Sequence, residues 1–377
     1  MRFASILQSF SVAAALLAGA ASPAHAEAGY AKGFFLKADD GDKSYALVIN
    51  GAFQTRFTLT VPEAGDDSYA FDVVRARISL NGHVLSKALT YSFLADFGHG
   101  DTQLKDLYID YAPIDALRIR VGQWKRPFSR PFMGSSNAQQ LVDEALTDAA
   151  FGVGRDLGLA LHNGYEQSPV FEWVVGLFNG TGEKPWYTGK VAVTGDSGTL
   201  TSASRTNVPS QFRPLLVARV GYNYGDAAGE GYSEPDLHPE KGLRFSVAAG
   251  AMADLGGADR TGAAELDFIL KISGFAATGG GFVRVSTDPG SDANPVYGVN
   301  LQAGYVLGGR VEPALRFARV MPSDDTQSTL QELALGLNLY FAGQTFKLAT
   351  DVAALGAETG GASTTEWRVR TQLQTVF

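Results

Sequence analysis

Six arginines arrive as alternate-residue pairs: Arg75 with Arg77, Arg118 with Arg120, and Arg368 with Arg370. In an extended chain a spacing of two puts both members of a pair on one face, so each pair presents two guanidinium groups in one direction. Arg56, Lys271 and Arg316 hold the polar parity of other alternating segments, and Lys125, Arg126 and Arg130 crowd into the stretch Lys125-Arg126-Pro127-Phe128-Ser129-Arg130-Pro131. Around an aqueous passage such cations favour anions. Their charge replaces part of the lost hydration, and their donors fork onto phosphate or carboxylate oxygens. The same residues admit a second reading, in which they pair with Asp96, Asp106, Asp110 and Glu366 and brace a polar wall.

Turnover chemistry finds no comparable support. Gly195-Asp196-Ser197-Gly198 has the order of a serine-protease nucleophile motif, but it lies in a Gly/Thr/Ser-rich loop and none of the five histidines has a matching context. Gly180-Thr181-Gly182-Glu183-Lys184 fails the phosphate-loop spacing. His83, His99, His162 and His238 are scattered singly and there is no cysteine, so neither a metal centre nor a disulfide framework is expected. Asp39-Asp40-Gly41-Asp42 lacks the calcium-loop spacing and reads as a polar turn. No catalytic residue, cofactor or metal is therefore assigned.

The elements that must position the cations are strands. From Glu366 to the terminal Phe377 the chain alternates strictly: Trp367, Val369, Thr371, Leu373, Thr375 and Phe377 on one face, Glu366, Arg368, Arg370, Gln372 and Gln374 on the other. One face suits lipid and the other water. Similar alternation begins at Tyr45 and recurs near 74–81, 89–96, 107–111, 117–121, 155–164, 169–179, 213–224, 241–254, 262–274, 279–287, 296–307, 310–320, 328–341 and 345–354. With the last segment these make sixteen, an even number that closes an antiparallel sheet into a transmembrane barrel. Mid-strand charges would be ruinous in a sealed core but cost little in a wet lumen. The connections agree in parity, with long ones such as 61–69, 125–154 and 180–212 on one end and short turns such as 112–115 and 342–344 on the other. Only 225–240 is long where a short turn is expected.

Before the strands, Arg2, the apolar run Val12 to Ala20 and Ala24-His25-Ala26 have the layout of a cleaved signal peptide over 1–26. Residues 27–44 form an N-terminal periplasmic segment and 45–377 the barrel. No later stretch is long and apolar enough for a spanning helix. The net charge of −8 speaks against nucleic acid as a partner.

The closing strand, with aromatics at both ends of its apolar row, resembles the signal by which the barrel-assembly machinery recognises outer-membrane barrels, with Trp367, Leu373 and Phe377 as its carriers. An ordered series of motifs is more specific: Phe71-Asp72-Val73-Val74-Arg75-Ala76-Arg77, Asp110-Tyr111, Val121-Gly122-Gln123-Trp124-Lys125-Arg126-Pro127-Phe128, Gly154-Arg155-Asp156-Leu157-Gly158 and Gly176-Leu177-Phe178-Asn179-Gly180. This series resembles the phosphate-selective porin O and P family. The resemblance implies a sixteen-stranded barrel in the outer membrane of a Gram-negative bacterium, a homotrimer set in outer-membrane lipid, and passive passage of small anions such as phosphate. The segment from Lys125 matches in position the loop that folds into the pore of sixteen-stranded porins; an outward cap is the other reading. Competing functions are a general porin without anion preference, a barrel enzyme such as a phospholipase or protease, and a structural barrel with a plugged lumen.

Overall fold

The computed structural model describes residues 25–183, 186–194, 197–209, 211–225, 232–256, 260–287 and 294–377. The expected signal peptide lies outside them as far as residue 24. Two short strands, β1 (His25–Tyr30) and β2 (Phe34–Asp40), lead into the wall strands β3 (Lys43–Pro62), β4 (Ser68–His83), β5 (Leu89–Asp96), β6 (Gln103–Ile114), β7 (Leu117–Lys125), β8 (Arg155–His162) and β9 (Phe171–Phe178). A separate hairpin, β10 (Trp186–Thr194) with β11 (Ser197–Thr206), stands in the next connection. The wall resumes with β12 (Leu215–Tyr224), β13 (Arg244–Asp254), β14 (Arg260–Ile272), β15 (Phe275–Thr287), β16 (Asn294–Tyr305), β17 (Val311–Pro322), β18 (Thr329–Ala342), β19 (Phe346–Thr359) and β20 (Ala362–Val376).

Each wall strand pairs antiparallel with its neighbours. β9 meets β12 across the hairpin, from Leu215 opposite Phe178 to Tyr222 opposite Phe171. β20 closes on β3, from Glu366 opposite Pro62 to Val376 opposite Ala52. β3 to β9 and β12 to β20 therefore form one closed sixteen-stranded barrel, and each segment expected from alternation coincides with one of its strands. Closure removes the sheet edges that hydrocarbon cannot tolerate.

Burial follows parity, but inside out. On β14 the acids Glu265 and Asp267 are 3% and 4% exposed, while Leu266 between them is 67% exposed. β12 alternates in the same way, with Val217, Arg219 and Asn223 buried and Leu216, Val220 and Tyr222 outward. A soluble protein with this surface would aggregate; a barrel in lipid turns that row to the acyl chains.

The largest apolar core is not between strands but between the wall and a loop. Phe128 and Phe151, from the long connection after β7, pack with Trp124, Phe178, Val217, Tyr232 and Phe282 inside the barrel. Two short helices, α1 (Arg130–Met133) and α2 (Leu146–Phe151), stiffen that loop. The tight turn at Asp39 to Asp42 joins β2 to β3, with Gly41 at φ +63°.

Candidate functional site

The loop after β7 crosses the lumen and is fastened along its whole length. Lys125 Nζ donates to the carbonyls of Phe132 (2.8 Å) and Gly134 (2.6 Å), closing its first turn. Arg130 donates to Asp267 on β14 from its backbone and from Nε at 2.9 Å. Gln140 Nε2 donates to Glu312 on β17, and the Val142 amide to Asp351 on β19. The Leu146 amide donates to Glu332 on β18. Of the two readings of this loop, the structure takes the one that folds inward.

At the loop's midpoint Asp143 is held by three wall arginines. Arg56 reaches it at 2.7 Å, Arg75 at 3.1 Å and Arg370 at 3.9 Å. Burial alone would raise its pKa; Arg75, Arg56 and Arg370 together hold the carboxyl well below the usual range. Sequence parity places these arginines on the lumen face. It does not show that a residue from the loop arrives to bind them.

Other candidate cations are similarly engaged. Arg77 pairs with Asp96 at 2.7 Å and donates to Ser136. Arg120 pairs with Asp110 and Glu166, each at 2.8 Å. Arg316 reaches Glu332 and the Asp143 carbonyl, and Arg370 also pairs with Asp351 at 2.6 Å. Lys271 is buried on the lumen face, opposite Arg244 in the register. Arg118, Arg126 and Arg368 each keep a buried Nε without a hydrogen-bond partner. The bracing pairs are thus present for Asp96 and Asp110. Asp106 pairs with Arg155 at 2.8 Å, and Glu366 lies at a separate cavity at the loop end of the barrel, beside Leu146 and Leu355. Trp367, Leu373 and Phe377 all point outward, 54%, 43% and 46% exposed.

Several organising residues were not singled out in the sequence. Arg219 sits fully buried among Glu172, Glu265 and Asp267, and the alternation of 215–224 carried the signal that could have found it. The exceptional connection after β12 shows no shift of register, because β12 pairs with both β9 and β13. Instead its described part, from Tyr232, enters the lumen from the end opposite the loop. The Glu234 amide donates to the Ala138 carbonyl, and Glu234 accepts from the Gln140 amide and from Gln302, both at 2.8 Å. Asp236 takes hydrogen bonds from Arg244 and from the Gly274 amide.

A cavity of about 280 Å³ lies along the β3 to β7 wall. Arg77, Lys125 and Arg155 line it, with Asp106, Glu166, Tyr108 and Trp124. Lys125 stands out among these charges. Its two hydrogen bonds go to carbonyls, and it forms no ion pair with a carboxylate among the described residues.

Residues 49–210 match the family model described as Phosphate-selective porin O and P. Over those residues the chain is similar to that family, and its closed sixteen-stranded barrel is that of an outer-membrane porin. No curated protein matches its sequence. Solved structures similar to the porin include the outer membrane channel DcaP of Acinetobacter baumannii (TM-score 0.61, 13% identity, covering 88% of this chain and 97% of that one). The anion-selective porin from Comamonas acidovorans gives a TM-score of 0.56 at 15% identity over 88% of this chain and 99% of that one. A trimer form of OmpT, an outer membrane protein of Vibrio cholerae, gives 0.54 at 9% over 88% and 99%. At these identities the likeness is one of fold. The family match and the fold together point to an outer-membrane channel. Gly195 and Asp196 of the protease-like tetrapeptide, and Lys184 of the glycine-rich stretch, lie outside the described residues. The porin's histidines stand apart, His83 beside Ser44, His99 beside Asp72 and His162 beside Asp110. Among the described residues no group of three or more acids and histidines could hold a metal.

Proposed function

We propose that this porin passes small hydrophilic anions, phosphate among them, by diffusion along the β3 to β7 wall. The observation that carries the reading is Lys125, which lines the open cavity and forms no ion pair with a carboxylate among the described residues, with Arg77 and Arg155 on the same lining. A phosphate oxygen entering there meets a lysine that forms no ion pair with a carboxylate among the described residues, and loses less hydration energy than a cation would. The paired arginines act differently. They fix the loop and so set the width of the passage. Their partner acids offset most of their charge, which makes selectivity depend on few residues.

The working unit in this reading is a homotrimer in outer-membrane lipid, assembled by the barrel-assembly machinery through Trp367, Leu373 and Phe377. Residues 1–26 are removed on export, 27–44 lie on the periplasmic side, and 45–377 form the channel. No step of turnover chemistry is involved. In planar bilayers under a potassium chloride gradient the porin gives a chloride-favouring reversal potential, and phosphate reduces the chloride current. Lys125→Gln shifts the reversal potential towards zero and weakens the phosphate effect. A cation-favouring potential indifferent to phosphate leaves a general porin.

A further inference from the structure

β3 is twenty residues long and has two partners on one side. Its upper part, Ala52 to Pro62, pairs with β20. Its lower part, Lys43 to Ile49, pairs with β2, which in turn carries β1. Below the terminal Phe377, β2 therefore takes the place that β20 holds above. Register carries the alternation straight through this exchange. Phe34 lies opposite Ile49 and Leu36 opposite Leu47, on the parity of outward Phe53, while Tyr30 lies opposite Phe34 on β1. The other face carries Phe35, Lys37 and Asp39.

Tyr30, Phe34 and Leu36 are 56%, 56% and 54% exposed, as open as the lipid-facing leucines of the wall. They also touch that wall's apolar belt. The Phe34 and Phe377 rings lie 6.4 Å apart, and Phe34 and Tyr30 5.3 Å apart. The apolar surface thus runs unbroken from barrel to hairpin. Left in water, a two-stranded unit with this face would be marginal in stability and prone to stick.

We propose that the β1–β2 hairpin lies against the periplasmic leaflet of the outer membrane, its Tyr30, Phe34 and Leu36 face seated at the boundary of acyl chains and headgroups. Aromatic side chains favour that depth, and an amphipathic element with one apolar and one charged face lies flat in it. The occupant argued for is lipid, because the face continues the outward apolar row that a membrane barrel turns to the acyl chains.

The absence of cysteine allows a direct test. Leu36→Cys and Lys37→Cys, on opposite faces, are each labelled with an environment-sensitive fluorophore in the full chain and reconstituted into phospholipid vesicles; Phe53→Cys marks the belt. Only protein migrating as the heat-sensitive compact form is read. Spin-labelled phospholipid quenches the Leu36 and Phe53 labels severalfold more than the Lys37 label, and aqueous iodide does the reverse. Equal iodide quenching on both hairpin faces overturns the proposal. So does a Leu36 label reached by neither quencher, which means that protein, such as a second copy of the chain, covers the face. In the unaltered chain a photoactivatable phospholipid crosslinks to the peptide holding Tyr30 to Leu36; crosslinks at Phe53 without that peptide overturn it equally.

Discussion

Asp143 is the residue on which the interior depends most. It joins the loop to three cations drawn from the first, second and last strands of the closed wall. The Asp143 side chain is 28% exposed, so removing this shared acid leaves the three cations uncompensated at a cost below the about 3 to 5 kcal/mol of a fully buried pair. Asp143→Asn should lower the temperature at which the compact form is lost on heating in detergent. It should also push the reversal potential further towards chloride, since Arg56, Arg75 and Arg370 then face the lumen without their shared acid. Asp148 behaves in the opposite way. Burial, and then the charge of Glu144, push its carboxyl up to about 8, and its Oδ1 has no hydrogen-bond partner. Between the ordinary 3.8 and about 8 the folded loop holds a proton that the unfolded chain has released. Its contribution to stability is complete at acid pH and is lost as pH rises through about 8. Heat resistance should fall as pH rises across the window from 3.8 to about 8 and level off above it, and Asp148→Asn should flatten the difference.

At the scale of elements, the strand-by-strand alternation was legible because one face meets lipid and the other meets polar groups, and a one-residue slip would reverse every side chain. Parity of the connections gave the two ends of the barrel for the same reason. Which partner each lumen charge takes was not legible. Asp143 comes from a loop far along the chain from Arg56 and Arg370, and alternation shows which face a residue occupies, not what enters from across the barrel. The long connection after β12 broke the parity rule because its Tyr232 to Asp236 stretch is an inward brace. Within the wall, Gly122 has a strict local requirement. Its φ is +138°, and a Cβ there would stand 2.2 Å from the Leu107 carbonyl and 2.6 Å from the Tyr108 Cα on β6. Backbone on both counts cannot yield cheaply, so Gly122→Ala should cost about 2 kcal/mol or more. The control is Gly281→Ala, where a Cβ meets nothing within 4 Å. A loss of heat resistance in the first and not the second checks the argument; equal effects would refute it.

Taken as a whole, the molecule is filled unevenly. The loop and the inward brace meet at Gln140 and Glu234 and are fastened to β16 and β17, Asp143 ties the loop to β3, β4 and β20, and the cavity lined by Lys125 runs along β3 to β7. Charge count and composition could not foretell this, because they average over a cross-section that is solid on one side and open on the other. The lopsidedness divides labour around the circumference. One half works as a keel, where substitutions change how firmly the cylinder stands. On the proposed reading the other works as a rail, where they change what travels and how fast. On that reading a solute meets a single charged bank rather than a ring, so crossing resembles creeping along a shore more than threading a hoop.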